Sequence, residues 1–379
     1  MSQPTRPLIE VLAEIEDTRQ ARGKRHPLVA LLALVCVATL CGYRSYGAMA
    51  EWGRNYGAEL LAALGFTRPT PPSAATLYRA LRGIDRAAFE AAIGAWAEEV
   101  LAAVTVAPEA GPTAIAVDGK ALRGSRKQGA TGSHLLAAVS QGLGLPLGQR
   151  GVDEKTNEIP VFHELLRGLV VEGRVYTMDA LLTQRAAAQA VVDGGGDYVM
   201  VAKDNQSRLR DDDAAILASP PHLGLALTRA STVDLGHGRI ERRRVTARAL
   251  LAGDCDWPDA RQVFVVERQV THKKSGAERR EVTYGVTSRD PDRLNARALL
   301  RLLRGHWHIE NRVHWVRDVT FDEDRSQVRT GAIPAILATV RTTAIGLFRH
   351  TGEANIAAAC RRCAAQPEAA LALIGILRE

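Results

Sequence analysis

The sequence predicts an α/β core with an all-β insertion, preceded by an all-α N-terminal domain, and three observations predict it. Residues 8–104 read as helices throughout, broken at Gly and Pro. From residue 113, short apolar runs typical of strands alternate with helical stretches. Residues 225–288 are rich in Val, Thr and Arg with period-two alternation. A chain of 379 residues with 46% hydrophobic residues can bury substantial cores and suits two or three domains. The expected division is a helical domain at 1–110, the core at 111–330 with its β-rich insertion near 225–290, and a C-terminal helical segment at 331–379.

The N-terminal helices are expected at 8–20, 26–41, 46–64, 73–82 and 86–104. Residues 27–41 follow the basic Arg22-Gly-Lys-Arg-His26 and superficially resemble a secretion signal. The run starts late, has no small-x-small cleavage site, and is too short to span a bilayer comfortably, so it reads as a buried helix of a cytoplasmic protein. In the 73–82 helix, Ser73 is the expected cap, Leu77 and Leu81 face inward, and Arg79 and Arg82 face solvent. The Pro-Glu-Ala-Gly-Pro segment at 108–112 marks the boundary where helical periodicity gives way to extended structure.

Beyond it the order is strand (113–118), strand (134–141), strand (145–152), helix (158–171), strand (174–179), helix (182–194) and strand (197–202). Three strands in a meander followed by helix-strand alternation is the order of a ribonuclease H-like domain, which carries acids at the ends of its first and fourth strands. Asp118 and Asp179 fall at those two ends. A third acid, Glu310, lies within a long helical pattern, 301–317, and can project from one face of it. Two carboxylates at strand tips and one from a helix make a hard, all-oxygen pocket of the kind that holds Mg²⁺ beside a phosphate. Such a pocket suits phosphodiester chemistry.

The charge distribution agrees with a polyanionic partner. The formal charge is +7 and the pI about 9.3, yet residues 1–110 carry 11 basic and 11 acidic residues, so the surplus lies entirely beyond them. Between Gly119 and Gly151 stand Lys120, Arg123, Arg126, Lys127 and Arg150 without a single acid. The five cysteines are odd in number and partly embedded in apolar helices, which fits buried thiols in a reducing compartment. Cys360-Arg-Arg-Cys363 has zinc-like spacing but no second pair nearby.

Six motifs in order carry a family resemblance. They are Ala-Val-Asp118-Gly-Lys-Ala-Leu-Arg-Gly-Ser125, Glu154-Lys-Thr-Asn-Glu-Ile159, Thr-Met-Asp179-Ala-Leu-Leu-Thr-Gln184, Gly196-Asp-Tyr-Val-Met-Val-Ala-Lys-Asp-Asn-Gln206, His237-Gly-Arg-Ile-Glu-Arg242 and His306-Trp-His-Ile-Glu310-Asn-Arg-Val-His-Trp315. Together with Arg22-Gly-Lys-Arg-His-Pro27 and Ser45-Tyr-Gly-Ala-Met-Ala-Glu-Trp52, they closely resemble the ISAs-type insertion-sequence transposases, which include the H-repeat-associated proteins. The resemblance covers nearly the whole chain. It implies a DDE transposase with a ribonuclease H-like core, using two Mg²⁺ ions that Mn²⁺ can replace. Its partners would be double-stranded DNA, both the terminal inverted repeats of its element and the target. It would act as a homo-oligomer on that DNA in the nucleoid, with no membrane role. Carried over by motif, the catalytic and metal-binding triad is Asp118, Asp179 and Glu310. Related DDE families place a Tyr and an Arg before the Glu and a Lys seven residues after it; Leu303, His306 and Arg317 stand there in this chain.

Other readings compete at several positions. Asp318, Asp322, Glu323 and Asp324 are alternative third acids, with Asp318 foremost, although a charge-paired loop with Arg317 and Arg325 accounts for them. His306, Glu310 and His314, spaced by four, could form a two-histidine, one-carboxylate site that would leave Asp118 and Asp179 unused. Trp307, Asn311 and Trp315 form an adjacent stripe read as core packing, with base stacking as the alternative. Expected DNA contacts are Arg79 and Arg82 of a recognition helix, Lys120 and Arg123 beside the first acid, Lys203 and Gln206 after the fifth strand, Arg239 and Arg242 in the insertion, and Arg317. Two rival functions remain, a Mg²⁺ nuclease that cuts without joining and a non-catalytic DNA-binding relic.

Overall fold

The computed structural model describes residues 6–21, 24–104, 113–125, 132–152, 158–220, 226–236 and 238–376. The N-terminal helices are α1 (Leu8–Ala13), α2 (Leu28–Leu40), α3 (Tyr46–Asn55), α4 (Gly57–Ala63), α5 (Ala74–Arg82) and α6 (Arg86–Ala103). Then follow β1 (Ala114–Ala121), β2 (His134–Ser140), β3 (Pro146–Val152), α7 (Glu158–Leu166), β4 (Val175–Met178), α8 (Arg185–Asp193), β5 (Asp197–Ala202) and α9 (Ser207–Ala218). The predicted β-rich segment forms β6 (Thr228–Gly236), β7 (Arg239–Ala249), β8 (Gln262–His272) and β9 (Glu278–Thr287). The chain ends in α10 (Ala296–Ile309), a π-helical turn at Glu310–His314, α11 (Trp315–Val319), α12 (Ile333–His350), α13 (Ile356–Ala365) and α14 (Pro367–Leu373). The boundary segment 108–112, residues 154–157 of the second motif, and His237 lie outside the described residues.

Three expected helices are shorter or split. The first stops at Ala13 rather than 20, and that at 158–171 stops at Leu166. The expected 46–64 helix is two, because Gly57 has φ +78°, a left-handed conformation open to glycine that interrupts the α-helical hydrogen bonds. Ser73 caps α5 as expected, accepting from the Thr76 amide, with Leu77 and Leu81 buried and Arg79 and Arg82 exposed.

The chain divides into two compact units that do not follow sequence order. The first comprises Met1–Ala107, Gly119–Asn157 and Ile309–Glu379, and the second Pro108–Asp118 and Glu158–His308. In the first, α2 is buried on every side, from Ala30 through Leu40, as befits a helix apolar all round its circumference. It packs against α1, α3, α5 and, from the far end of the chain, α12, α13 and α14. The C-terminal helices therefore share the core of the N-terminal ones. Cys41 Sγ donates to the Cys363 carbonyl at 3.2 Å and the Tyr56 hydroxyl to the Ala364 carbonyl at 2.6 Å. Antiparallel β2 and β3 complete this unit, with α6 and α12 packed on β3.

In the second unit the strand order is β1-β4-β5-β9-β8-β7-β6. β1, β4 and β5 are parallel, and β9 to β6 continue the same sheet as antiparallel neighbours. The insertion therefore extends the core sheet instead of folding apart from it. The apolar face of α10, with Leu299, Leu300 and Leu303, packs on Val175, Val199, Val245, Phe264 and Val266. That packing joins the first half of the sheet to the insertion through one hydrophobic core.

Candidate active site

Asp118 follows three fully buried residues of β1, Ile115, Ala116 and Val117, and Asp179 follows the four buried residues of β4. Both runs read as continuous apolar stretches because strands of a parallel sheet are covered on both faces. The register pairs Val117 with Met178, so Asp118 and Asp179 are the next residues on neighbouring parallel strands, about 4.8 Å apart in backbone spacing. Each is half-buried, where a carboxylate stays accessible to solvent yet is held by protein.

The Asp179 carboxylate is fixed by the turn that follows it. Its Oδ1 accepts from the Leu181 and Leu182 amides at 3.1 and 3.2 Å. Thr183 Oγ1 lies 2.9 Å from the Asp179 carbonyl and 2.7 Å from that of Val201. The turn after β5 is stitched to the same place, for Asn205 Nδ2 donates to the Ala180 carbonyl and Gln206 Nε2 to the Thr183 carbonyl at 3.0 Å. Gln206, expected at a phosphate, spends its amide nitrogen on this loop. The side chains of Thr183 and Asn205, both within the motifs, hold the loop of the second acid in place.

One residue before Asp179, Thr177 Oγ1 lies 3.0 Å from His306 Nδ1 and 3.3 Å from the Ile115 carbonyl. Burial lowers the His306 pKa against the opposing pull of Asp179, so the ring is neutral at pH 7 and serves as a polar brace below the strand ends. This placement does not support the two-histidine, one-carboxylate site. His306 is committed to Thr177, His314 is buried, and Glu310 is exposed.

Glu310 itself opens the π turn. Single π turns inside α-helices recur at functional sites, since they re-aim side chains that an ideal helix would rotate elsewhere. Asp318, the alternative third acid, accepts from Lys120 Nζ at 2.9 and 2.7 Å. Burial raises the Asp318 pKa, and Lys120 opposes that rise. Among the described residues, no three His, Cys, Asp or Glu side chains are grouped to hold a metal.

The Transposase DDE domain family matches residues 109–346, and the DDE_Tnp_1-associated family matches residues 9–97. The chain belongs to the DDE transposase family. YncI of Escherichia coli O157:H7 is 29% identical over 355 residues, covering 90% of this chain and 87% of that protein. YhhI, an H repeat-associated protein of Escherichia coli K12, is 28% identical over 365 residues, with 90% of each chain covered. Transposition is assigned to both by name only. An uncharacterized protein from the dhlA 3′ region of Xanthobacter autotrophicus is 34% identical over 272 residues, 70% of this chain and 90% of that one. A cryo-EM structure of the piggyBac transposase synaptic complex with hairpin DNA covers 96% of this chain and 76% of that chain at 10% identity and TM-score 0.43, too low to establish a common fold.

Two further residues expected at DNA have partners within the chain. Lys120 is buried and bonded to both oxygens of Asp318. Arg317 is 2% exposed and bonds Glu323 through Nε and Nη2, while Arg341 Nη1 bonds the other side of that carboxylate at 3.0 Å. Neither can reach a phosphate without breaking a buried ion pair. Gly124 of the first motif also has a structural reason, because a Cβ there would lie 2.5 Å from the Glu323 carbonyl oxygen and 2.6 Å from that of Ser326. Arg79, Arg82, Arg123, Lys203, Arg239 and Arg242 are all exposed. Strand β7 is interior to the sheet, between β6 and β8, and its Arg243 pairs with Asp234 and Glu241 and stacks on Trp307. Trp307 thus packs as expected, whereas Trp315 departs from the core-packing expectation at 56% exposure. No helix of the described residues is long and apolar enough to cross a membrane.

Proposed function

We propose that this protein binds the ends of an insertion sequence and catalyses divalent-metal-dependent cleavage and strand transfer of DNA. The observation that carries the reading is the side-by-side emergence of Asp118 and Asp179 from adjacent parallel strands, set by the Val117 and Met178 register. The order β3-β2-β1 in one unit and β1-β4-β5 in the other supports a ribonuclease H-like core. Functionally, the chain is divided as a helical end-binding domain at 1–110, a catalytic domain at 111–330 and a C-terminal helical segment at 331–379.

Asp118, Asp179 and Glu310 would hold the metal, for which the all-oxygen, anionic donor set suits Mg²⁺ or Mn²⁺ better than zinc. When bound, the two ions supply Lewis-acid stabilisation of the attacking and leaving oxygens. The chain's own residues position those donors. The Leu181 and Leu182 amides fix one oxygen of Asp179, and the neutral His306 braces Thr177 beneath it. Arg123, Lys203, Arg239 and Arg242 are exposed cations for the phosphate backbone, and Arg79 and Arg82 of α5 would read terminal-repeat bases. The setting is DNA in the cytoplasmic nucleoid, with a homo-oligomer bridging two element ends.

Purified protein incubated with its flanking terminal repeats and Mg²⁺ should give nicked and joined strands. Asp118→Asn or Asp179→Asn should reduce both products by at least about a hundredfold while end binding persists. Nicks without joined products would leave the nuclease alternative, and binding without nicks the relic. Glu310→Ala retaining activity while Asp318→Ala loses it would move the third ligand to Asp318.

A further inference from the structure

A cavity of about 740 Å³ opens within the first unit, away from the two strand-tip acids in sequence but continuous with the π turn that begins at Glu310. Its walls carry four arginines, Arg44, Arg312, Arg349 and Arg361, and no acidic residue. Arg44 pairs with Asp322 at 3.3 Å. Among the described residues, no carboxylate lies within ion-pair distance of the other three. Arg349 donates Nη2 to the Arg312 carbonyl, and its buried Nε has no hydrogen-bond partner among the described residues. Burial, reinforced by the charge of Arg312, pushes the Arg349 guanidinium down to about 10. The N-terminus of α13, a ten-residue helix, lines the same cavity and adds the positive end of its dipole.

A protein rarely gathers cations without counter-charges unless an anion completes them. The second feature of the cavity is apolar. Trp315 stands on its wall with 56% of its surface exposed, beside Val319 at 53%. An accessible indole among guanidinium groups offers a stacking face for a base and donors for the adjoining phosphate, and the volume lies in the range of small-molecule pockets. A simple anion would use the arginines and leave the indole without a partner.

We propose that this cavity receives an unpaired nucleotide of a DNA strand, its base stacked on Trp315 and its phosphate held by Arg312, Arg349 and Arg361. The inference rests on the DNA reading above and deepens it, because the π turn that carries Glu310 also supplies Asn311 and Arg312 to the cavity. A strand end unpaired beside the third acid would be gripped by the same segment.

The test is binding of the full-length protein, in EDTA so that cleavage plays no part, to blunt duplexes and to the same duplexes with a short single-stranded extension. The wild type should prefer the extended duplex by about tenfold, the share that one stacked base supplies. Trp315→Ala and Arg361→Ala should bring the ratio of the two affinities to about one, and Trp315→Phe should keep most of it. Circular dichroism confirms that each variant is folded. A preference that survives Trp315→Ala, or a wild type with no preference, overturns the cavity assignment alone. Failure to bind any duplex would overturn the DNA reading and this inference together.

Discussion

Glu323 and Asp213 are both carboxylates removed from water, and they end in opposite states. Glu323, in the first unit, is 3% exposed and lies between Arg317 and Arg341; burial would raise its pKa, but the two guanidinium groups overcome that and hold it at about 2. Asp213, on α9 in the second unit, is fully buried, has no hydrogen-bond partner for either oxygen among the described residues, and is pushed up to about 8 by burial and then by Asp212. Burial sets the cost of charge, and the partner decides whether the group carries it. The arginines obey the same rule from the other side. Arg317 and Arg341 have a carboxylate and are structural, whereas among the described residues Arg312, Arg349 and Arg361 have none.

The largest break in this comparison is removal of one partner. Arg317→Ala would leave Glu323 and Arg341 in an incomplete buried pair and should cost about 3–5 kcal/mol in urea unfolding, while Arg312→Ala stays within about 0.5 kcal/mol. Equal effects of the two would mean that the Arg317 cluster is not a buried unit.

Acid sharpens it next. The unfolded Glu323 takes up its proton near 4.5 and the folded one only near about 2, so its stabilisation is complete above pH 4.5 and is lost as pH falls toward 2. The loss is on the order of 3 kcal/mol, read as the difference between the wild type and Glu323→Gln across that window. Parallel stability curves would show that the ion pair contributes nothing.

Asp213 should behave in the opposite sense. Its unfolded form ionises near 3.8 and its folded form near about 8, so stability declines as pH rises between those values. Asp213→Asn should flatten that decline and gain about 1–3 kcal/mol at pH 7, measured by thermal unfolding. A variant less stable than the wild type at pH 7 would reveal a partner that compensates the carboxylate.

Much of the fold was legible because its signals are local. Apolar runs ending in Asp118 and Asp179 mark buried parallel strands, the Ser73 cap and its leucines mark α5, and alternation marks β6 to β9. The α2 segment was recognisable as buried because it is apolar on all sides. The fates of Lys120, Arg317 and Gln206 were not legible. Lys120 stands two residues after Asp118 and Arg317 seven after Glu310, where a free cation is a fair expectation, and Gln206 follows the fifth strand. Lys120 and Asp318, however, are 198 positions apart in the chain, and no spacing rule connects them. The exposure of Trp315, at 56%, was likewise not legible from its place in the helical stripe.

By itself the sequence determined the strand and helix content, the two strand-tip carboxylates and the family, because periodicity, capping and short motifs act within a few residues of one another. Only the tertiary structure decided that the C-terminal helices share a core with the N-terminal ones, that the insertion extends the sheet, and which arginines find a carboxylate. Those outcomes depend on which surfaces meet after long loops close, and a buried charge is stable or costly according to the neighbour that arrives there.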